Sequence, residues 1–119
     1  MERESILIDI KKLLGLTEAY EVFDNDIMIH INSVFSILTQ LGVGPEKGFS
    51  IRNGDAKWSD FIQDEAMLEC VKSYMYLKVK LLFDPPASST ILESYNRMIQ
   101  EFEWRLNVAV DPKTDNEEI

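Results

Sequence analysis

From Ser59 to Phe83 the chain carries no glycine and no proline, and it then meets Asp84-Pro85-Pro86. That segment constrains the fold more than any other. Its apolar residues recur at helical spacing, and the stop is physical: proline has no amide proton and disfavours helix in the residue before it. Met67, Cys70, Val71, Tyr74, Leu77 and Leu81 make one stripe; Leu68, Met75, Val79 and Leu82 make another. A helix wet along one side needs only one stripe, so this helix is central in the fold or shared with a neighbouring subunit. Its start is expected near Ser59 or Asp60, with Asp60 and Gln63 as a capping box.

Three more helices follow from the same periodicity. Ile6, Leu7, Ile10, Leu13 and Leu14 place one from about Arg3 to Leu14, closed by Gly15. Asp24-Asn25-Asp26 offers N-caps for a second, about Asn25 to Leu41, with Ile27, Ile31, Val34, Phe35, Leu38 and Leu41 on its core face. Ile29 and Ile37 lie off that stripe and hint at a second contact surface. The last helix spans about Ser89 to Val110, opened by a Thr90/Glu93 capping box, with Trp104 and Val108 outside its main stripe. Between the second and third helices, helical periodicity gives way to Gly42, Gly44, Pro45, Gly48 and Gly54. Phe49-Ser50-Ile51 and Lys57-Trp58-Ser59 flank an Asn53-Gly54 turn signal, which reads as a short β-hairpin or an extended loop. The fold expected is therefore all-α in the main, a four-helix bundle-like domain over residues 1–110 with that excursion between helices 2 and 3. Residues 111–119, polar and acidic after Asp111-Pro112, read as a flexible tail.

Composition excludes several functions. With 119 residues, 45% of them hydrophobic, the chain builds one core without disulfides, and its single cysteine forms no intrachain bridge. Twenty-one acids against 12 bases give a net charge of −9, the wrong sign for gripping phosphates. No stretch reaches membrane-span length, and the N-terminus lacks a signal-peptide pattern, so a cytoplasmic protein is expected. Chemistry is sparse. His30 has no second histidine to join it in a metal site, and it reads as a surface or packing residue. Cys70 sits on an apolar helix face without a base, and reads as structural. Glu101 and Glu103, or Asp64 and Glu65, read as solvated helix faces, with Glu101 in reach of Arg97 or Arg105. Gly42-Val43-Gly44 lacks the pattern of a phosphate loop. Neither an enzyme nor a cofactor or metal site is expected. Trp58 and Trp104 suit either a core or a protein interface.

The layout resembles a known family. The opening Ile6-Leu7-Ile8-Asp9-Ile10-Lys11-Lys12-Leu13-Leu14-Gly15-Leu16, the helix stop Leu82-Phe83-Asp84-Pro85-Pro86, the start Ser88-Ser89-Thr90 and the close Glu103-Trp104-Arg105-Leu106-Asn107-Val108 are similar to head–tail connector (head-completion adaptor) proteins of long-tailed bacteriophages and prophages of Gram-positive bacteria. The resemblance covers roughly residues 5 to 111. It implies a helical bundle with a protruding loop, whose copies form a ring, twelvefold on the portal of the filled capsid. Such a ring extends the channel through which DNA passes without specific binding, and docks the tail or a stopper protein. It implies assembly in the host bacterial cytoplasm and residence in the virion neck, with no membrane partner. Placed on this sequence, the loop residues Phe49, Ile51, Arg52, Lys57 and Trp58 become candidates for channel or partner contact. Leu68, Met75, Val79 and Trp104 become candidates for subunit contact, and Leu106, Val108 and Val110 for reaching the portal. The competing reading is an acidic helical binding module of phage origin, regulatory or DNA-mimicking.

Overall fold

The computed structural model describes residues 5–110. Its elements are α1 (Ile6–Leu13), α2 (Asp24–Gln40), α3 (Trp58–Phe61), α4 (Glu65–Phe83) and α5 (Ser89–Ala109), with no strand among the described residues. The all-α expectation holds, with one helix more than the four foreseen. The expected third helix is broken. Ile62 is extended (φ −155°, ψ 143°), and Asp64 opens α4 by accepting from the amides of Ala66 at 3.0 Å and Met67 at 3.2 Å. Asp60 caps the short α3 instead, where its carboxylate accepts from the Lys57 amide at 2.9 Å. Ser88, rather than the Thr90/Glu93 pair, caps α5 by accepting from the Ile91 amide.

α4 is the middle of the molecule. Both α2 and α5 pack on it and make no comparable contact with each other, while α1 packs on α2. Much of its two apolar stripes thereby finds partners within the chain: Met75 and Val79 are fully buried, as are Val71 and Tyr74, while Leu82 stays exposed. Tyr74 Oη donates to Glu103 on α5 at 2.7 Å. Burial and this contact with Glu103 push the Tyr74 hydroxyl above its ordinary value. A group raised on folding contributes stability that is complete below its unfolded value and fades as pH rises past it. Wild-type protein is therefore expected to lose stability above about pH 10. Tyr74→Phe should be less stable by about 1 kcal/mol at neutral pH and lack that share of the alkaline loss, by urea unfolding at both pH values.

Of the two readings of the excursion between α2 and α3, the extended loop holds and the hairpin does not. Its two arms pair with other parts of the chain. The Asn32 side chain on α2 imitates a strand: its Nδ2 donates to Ile51 O at 3.0 Å and its Oδ1 accepts from the Ile51 amide at 2.8 Å. Ser5 forms a lone antiparallel bridge with Lys57, Ile6 N donates to Ala56 O at 3.0 Å, and Ser5 Oγ donates to Gly54 O at 2.7 Å. Asn53 turns the chain by accepting from the Asp55 amide at 2.8 Å. Backbone groups that a hairpin would satisfy are met here by α1 and α2, and the excursion lies on the core. Phe49 stacks against Phe35 and Phe61 with ring centres 5.0 and 5.3 Å away.

A buried cation fixes the link between α1 and α2. Lys11 is 1% exposed; its Nζ donates to Glu18 O at 2.9 Å and lies 2.8 Å from Asp24 Oδ1. Lys11→Met keeps the stem's volume but strands that carboxylate oxygen, which is otherwise buried. A loss of about 2 kcal/mol is expected in urea unfolding, because one member of a buried pair is removed while Asp24 keeps some solvent. Adding Asp24→Asn should recover part of it.

Candidate assembly surfaces

α5 buries only Ile99 and Leu106, both against the body of the fold. At 100° per residue, Trp104 and Val108 fall on the opposite side of the helix from those two. They are 66% and 54% exposed. An indole normally hides most of a surface of about 150–250 Å². Nothing within the described chain covers this one.

Three further apolar areas are open. On α2, Ile29 is 62% exposed and points away from the stripe of Ile27, Ile31, Val34, Phe35 and Leu38. Where the α1–α2 link meets the end of α4, Tyr20, Phe23 and Phe83 form an edge-to-face chain with ring centres 5.9 and 5.3 Å apart, beside an exposed Val22. Between α4, α5 and the end of α1 runs a groove of about 500 Å³, lined by Leu13, Tyr76, Leu77, Tyr95, Met98 and Phe102 among others. Scattered exposed apolar residues are ordinary; helix-long and clustered ones mark contact surfaces.

The titratable groups assemble nothing comparable. Among the described residues, no three His, Cys, Asp or Glu side chains converge to hold a metal. Burial pushes the Cys70 thiol up, opposed by the smaller pull of Arg105, so at neutral pH it stays protonated and is a poor nucleophile. Glu101 pairs with Arg105 along α5 as its spacing suggested. No helix among the described residues is long and apolar enough to cross a membrane.

The family model described as phage connector protein matches residues 6–113. The chain belongs to the phage connector family. No curated protein and no solved structure shows a significant match.

Within the connector, the sequence-derived contact residues divide by burial. Of the loop set, Arg52 and Lys57 reach solvent and Phe49 is half-buried, whereas Ile51 and Trp58 are core residues. These two are corrections: Asn32 draws Ile51 onto α2, and the Trp58 indole donates to Asp9 at 2.9 Å. Of the subunit-contact set, Trp104 is outward and Leu68 half-buried, but Met75 and Val79 are sealed inside and have no surface to offer a neighbour. Leu106 is likewise buried, as the core side of α5, so it cannot reach for a portal; Val108 is exposed, and Val110 packs close to Gly42. The tail at 111–119 and the start of the first expected helix at Arg3 lie outside the described residues. Sequence reasoning missed Val22, Tyr20 and Ile91 as exposed apolar residues. Ile91 lies in the first turn of α5, three residues after the capping Ser88, and the other two lie in a link without periodicity, so no regular pattern flagged them.

Proposed function

We propose that copies of this connector form a ring beneath the portal of the DNA-filled head, extend its channel and present a docking surface to the tail or a stopper protein. The observation that carries the reading is the pair of unlike apolar faces: Trp104 on α5, and Ile29 on α2, each turned away from the core. A ring contact is head-to-tail and joins different patches of identical subunits, so it needs two such faces. Charge agrees with a channel role. A chain of net charge −9 repels DNA phosphates, and repulsion keeps a passing duplex from sticking.

Other parts take roles by exposure. Arg52 and Lys57 are the accessible members of the loop and are the residues proposed for channel or partner contact. Val108, with Val110 and residues 111–119 beyond it, is the segment proposed to meet the portal. Residues 1–110 act as one helical connector unit and the rest as its tail. The ring is twelvefold on the portal, is assembled in the bacterial cytoplasm and resides in the virion neck.

Deleting the gene tests this. The expected phenotype is accumulation of heads and finished tails that do not join, restored by supplying the protein in trans. Normal virions from the deletion strain would refute it. A deletion that instead unleashed a nuclease or polymerase would favour the DNA-mimic reading.

A further inference from the structure

We propose that Asn53-Gly54 is a site of spontaneous covalent modification: the folded chain deamidates there, through a cyclic imide, to isoaspartate and aspartate. The inference does not depend on the ring reading. Asn53 is exposed and lies in a loop outside any helix, and it is the one asparagine followed by glycine. Asn25, Asn32, Asn96 and Asn107 lie within α2 and α5, and the side-chain amide of Asn32 is tied at both ends to Ile51. Gly54 has no side chain to shield its backbone nitrogen, the attacking atom. Among the described residues nothing accepts the Gly54 amide hydrogen. The Asn53 carboxamide is already folded back toward that nitrogen: its Oδ1 accepts from the Asp55 amide at 2.8 Å, closing a ring that runs through the Gly54 peptide. A cleft of about 290 Å³, lined by Ser5, Asp9, Gly54, Asp55 and Lys57 among others, opens the site to water.

The reaction needs only water. Solvent takes the Gly54 amide proton, and the nitrogen adds to Asn53 Cγ. Negative charge builds on Oδ1, where the Asp55 N–H already donates. The Cγ–Nδ2 bond then breaks, and Nδ2 takes a proton and leaves as ammonia. Water opens the cyclic imide. Attack at Cγ gives aspartate; attack at the backbone carbonyl carbon gives isoaspartate, whose main chain is longer by one carbon. Both products put a new negative charge next to Arg52. Only isoaspartate shifts the backbone, and the bonds within its reach hold the start of α1. Ser5 Oγ donates to Gly54 O at 2.7 Å, and Ile6 N donates to Ala56 O at 3.0 Å. Deamidation therefore loosens α1 from the loop.

Mass-spectrometric peptide mapping of the native full-length protein, aged at mildly alkaline pH, is the experiment. The Asn53 peptide should gain one mass unit and resolve into two products, of which an isoaspartyl methyltransferase labels only one. Peptides carrying Asn32, Asn96 and Asn107 should stay unchanged over the same time. Gly54→Ala should slow the gain several-fold without unfolding the chain. Gly54 is not in the left-handed region, and an added Cβ would meet only Ser5 Oγ at 3.9 Å and Leu7 Cδ2 at 4.0 Å. The deamidated fraction, separated by ion exchange, should unfold at lower urea than Asn53→Asp, which has the charge without the extra carbon. An Asn53 peptide that stays unchanged in the native chain, whether or not it converts in urea, would overturn the proposal. Conversion of Gly54→Ala at the wild-type rate would overturn the cyclic route. Equal urea midpoints for the deamidated fraction and Asn53→Asp would overturn the loosening of α1.

Discussion

Trp58→Ala is expected to lower the unfolding free energy by about 4 kcal/mol, within the range for deleting a buried aromatic. Trp58 is completely buried. Its indole N–H donates to Asp9 on α1 at 2.9 Å, and Lys72 of α4 lies 5.7 Å from the ring centre and 3.9 Å from Asp9. One side chain therefore ties the loop, the first helix and the central helix together. Removing it leaves a cavity and takes the donor away from a half-buried carboxylate. Trp58→Phe keeps most of the volume and loses the hydrogen bond, so it should cost about half as much. Circular dichroism in urea gives both numbers. It also separates the two indoles: the fluorescence left in Trp58→Ala should be that of the exposed Trp104 alone, emitting at longer wavelength. A change below about 1 kcal/mol for Trp58→Ala would mean the loop does not rest on the core as described.

Gly44→Ala should be almost as damaging, at about 3 kcal/mol, although it adds a single methyl. Gly44 has φ +86°, a left-handed conformation that costs an L-residue roughly 1–2 kcal/mol. Its added Cβ would also overlap the Phe61 ring, lying 2.7 Å from Cζ and closer still to Cε1. Phe61 is held between Phe35 and Phe49, with ring centres 4.7 and 5.3 Å away, so it has little room to retreat. Gly15→Ala is the control. It has the same sign of φ and open space around the position, so it should show the backbone cost without the clash. Equal losses at the two sites would contradict the packing of Phe61 against the Gly44 turn.

Helix spans and stops were legible because they are local. The Pro85-Pro86 stop, the Gly15 and Gly42 breaks and the stripe of α2 all appear where the spacing puts them. Trp104 lay off the main stripe of its helix, which left core and interface both open; the structure turns it outward. The failures share a cause. The partners that decide between hairpin and extended loop, Asn32 and Ser5, lie 19 and 49 residues from the groups they bind. No local signal announces them. The Asn53-Gly54 signal was real but serves a single Asn-capped turn. Met75 and Val79 were misjudged because a second apolar stripe looks the same whether another helix of the chain or another subunit covers it. Trp58 was ambiguous for a related reason: a tryptophan in a glycine-rich stretch has no periodic neighbours to say which way it faces.

Electron cryo-microscopy of the purified virion neck tests the central claim most directly. The account predicts a closed ring of this chain between portal and tail, with Trp104 covered and Met75 and Val79 still inside their own subunit. A neck whose density holds no copy of this chain, or holds it as isolated monomers with Trp104 in open solvent, would contradict it.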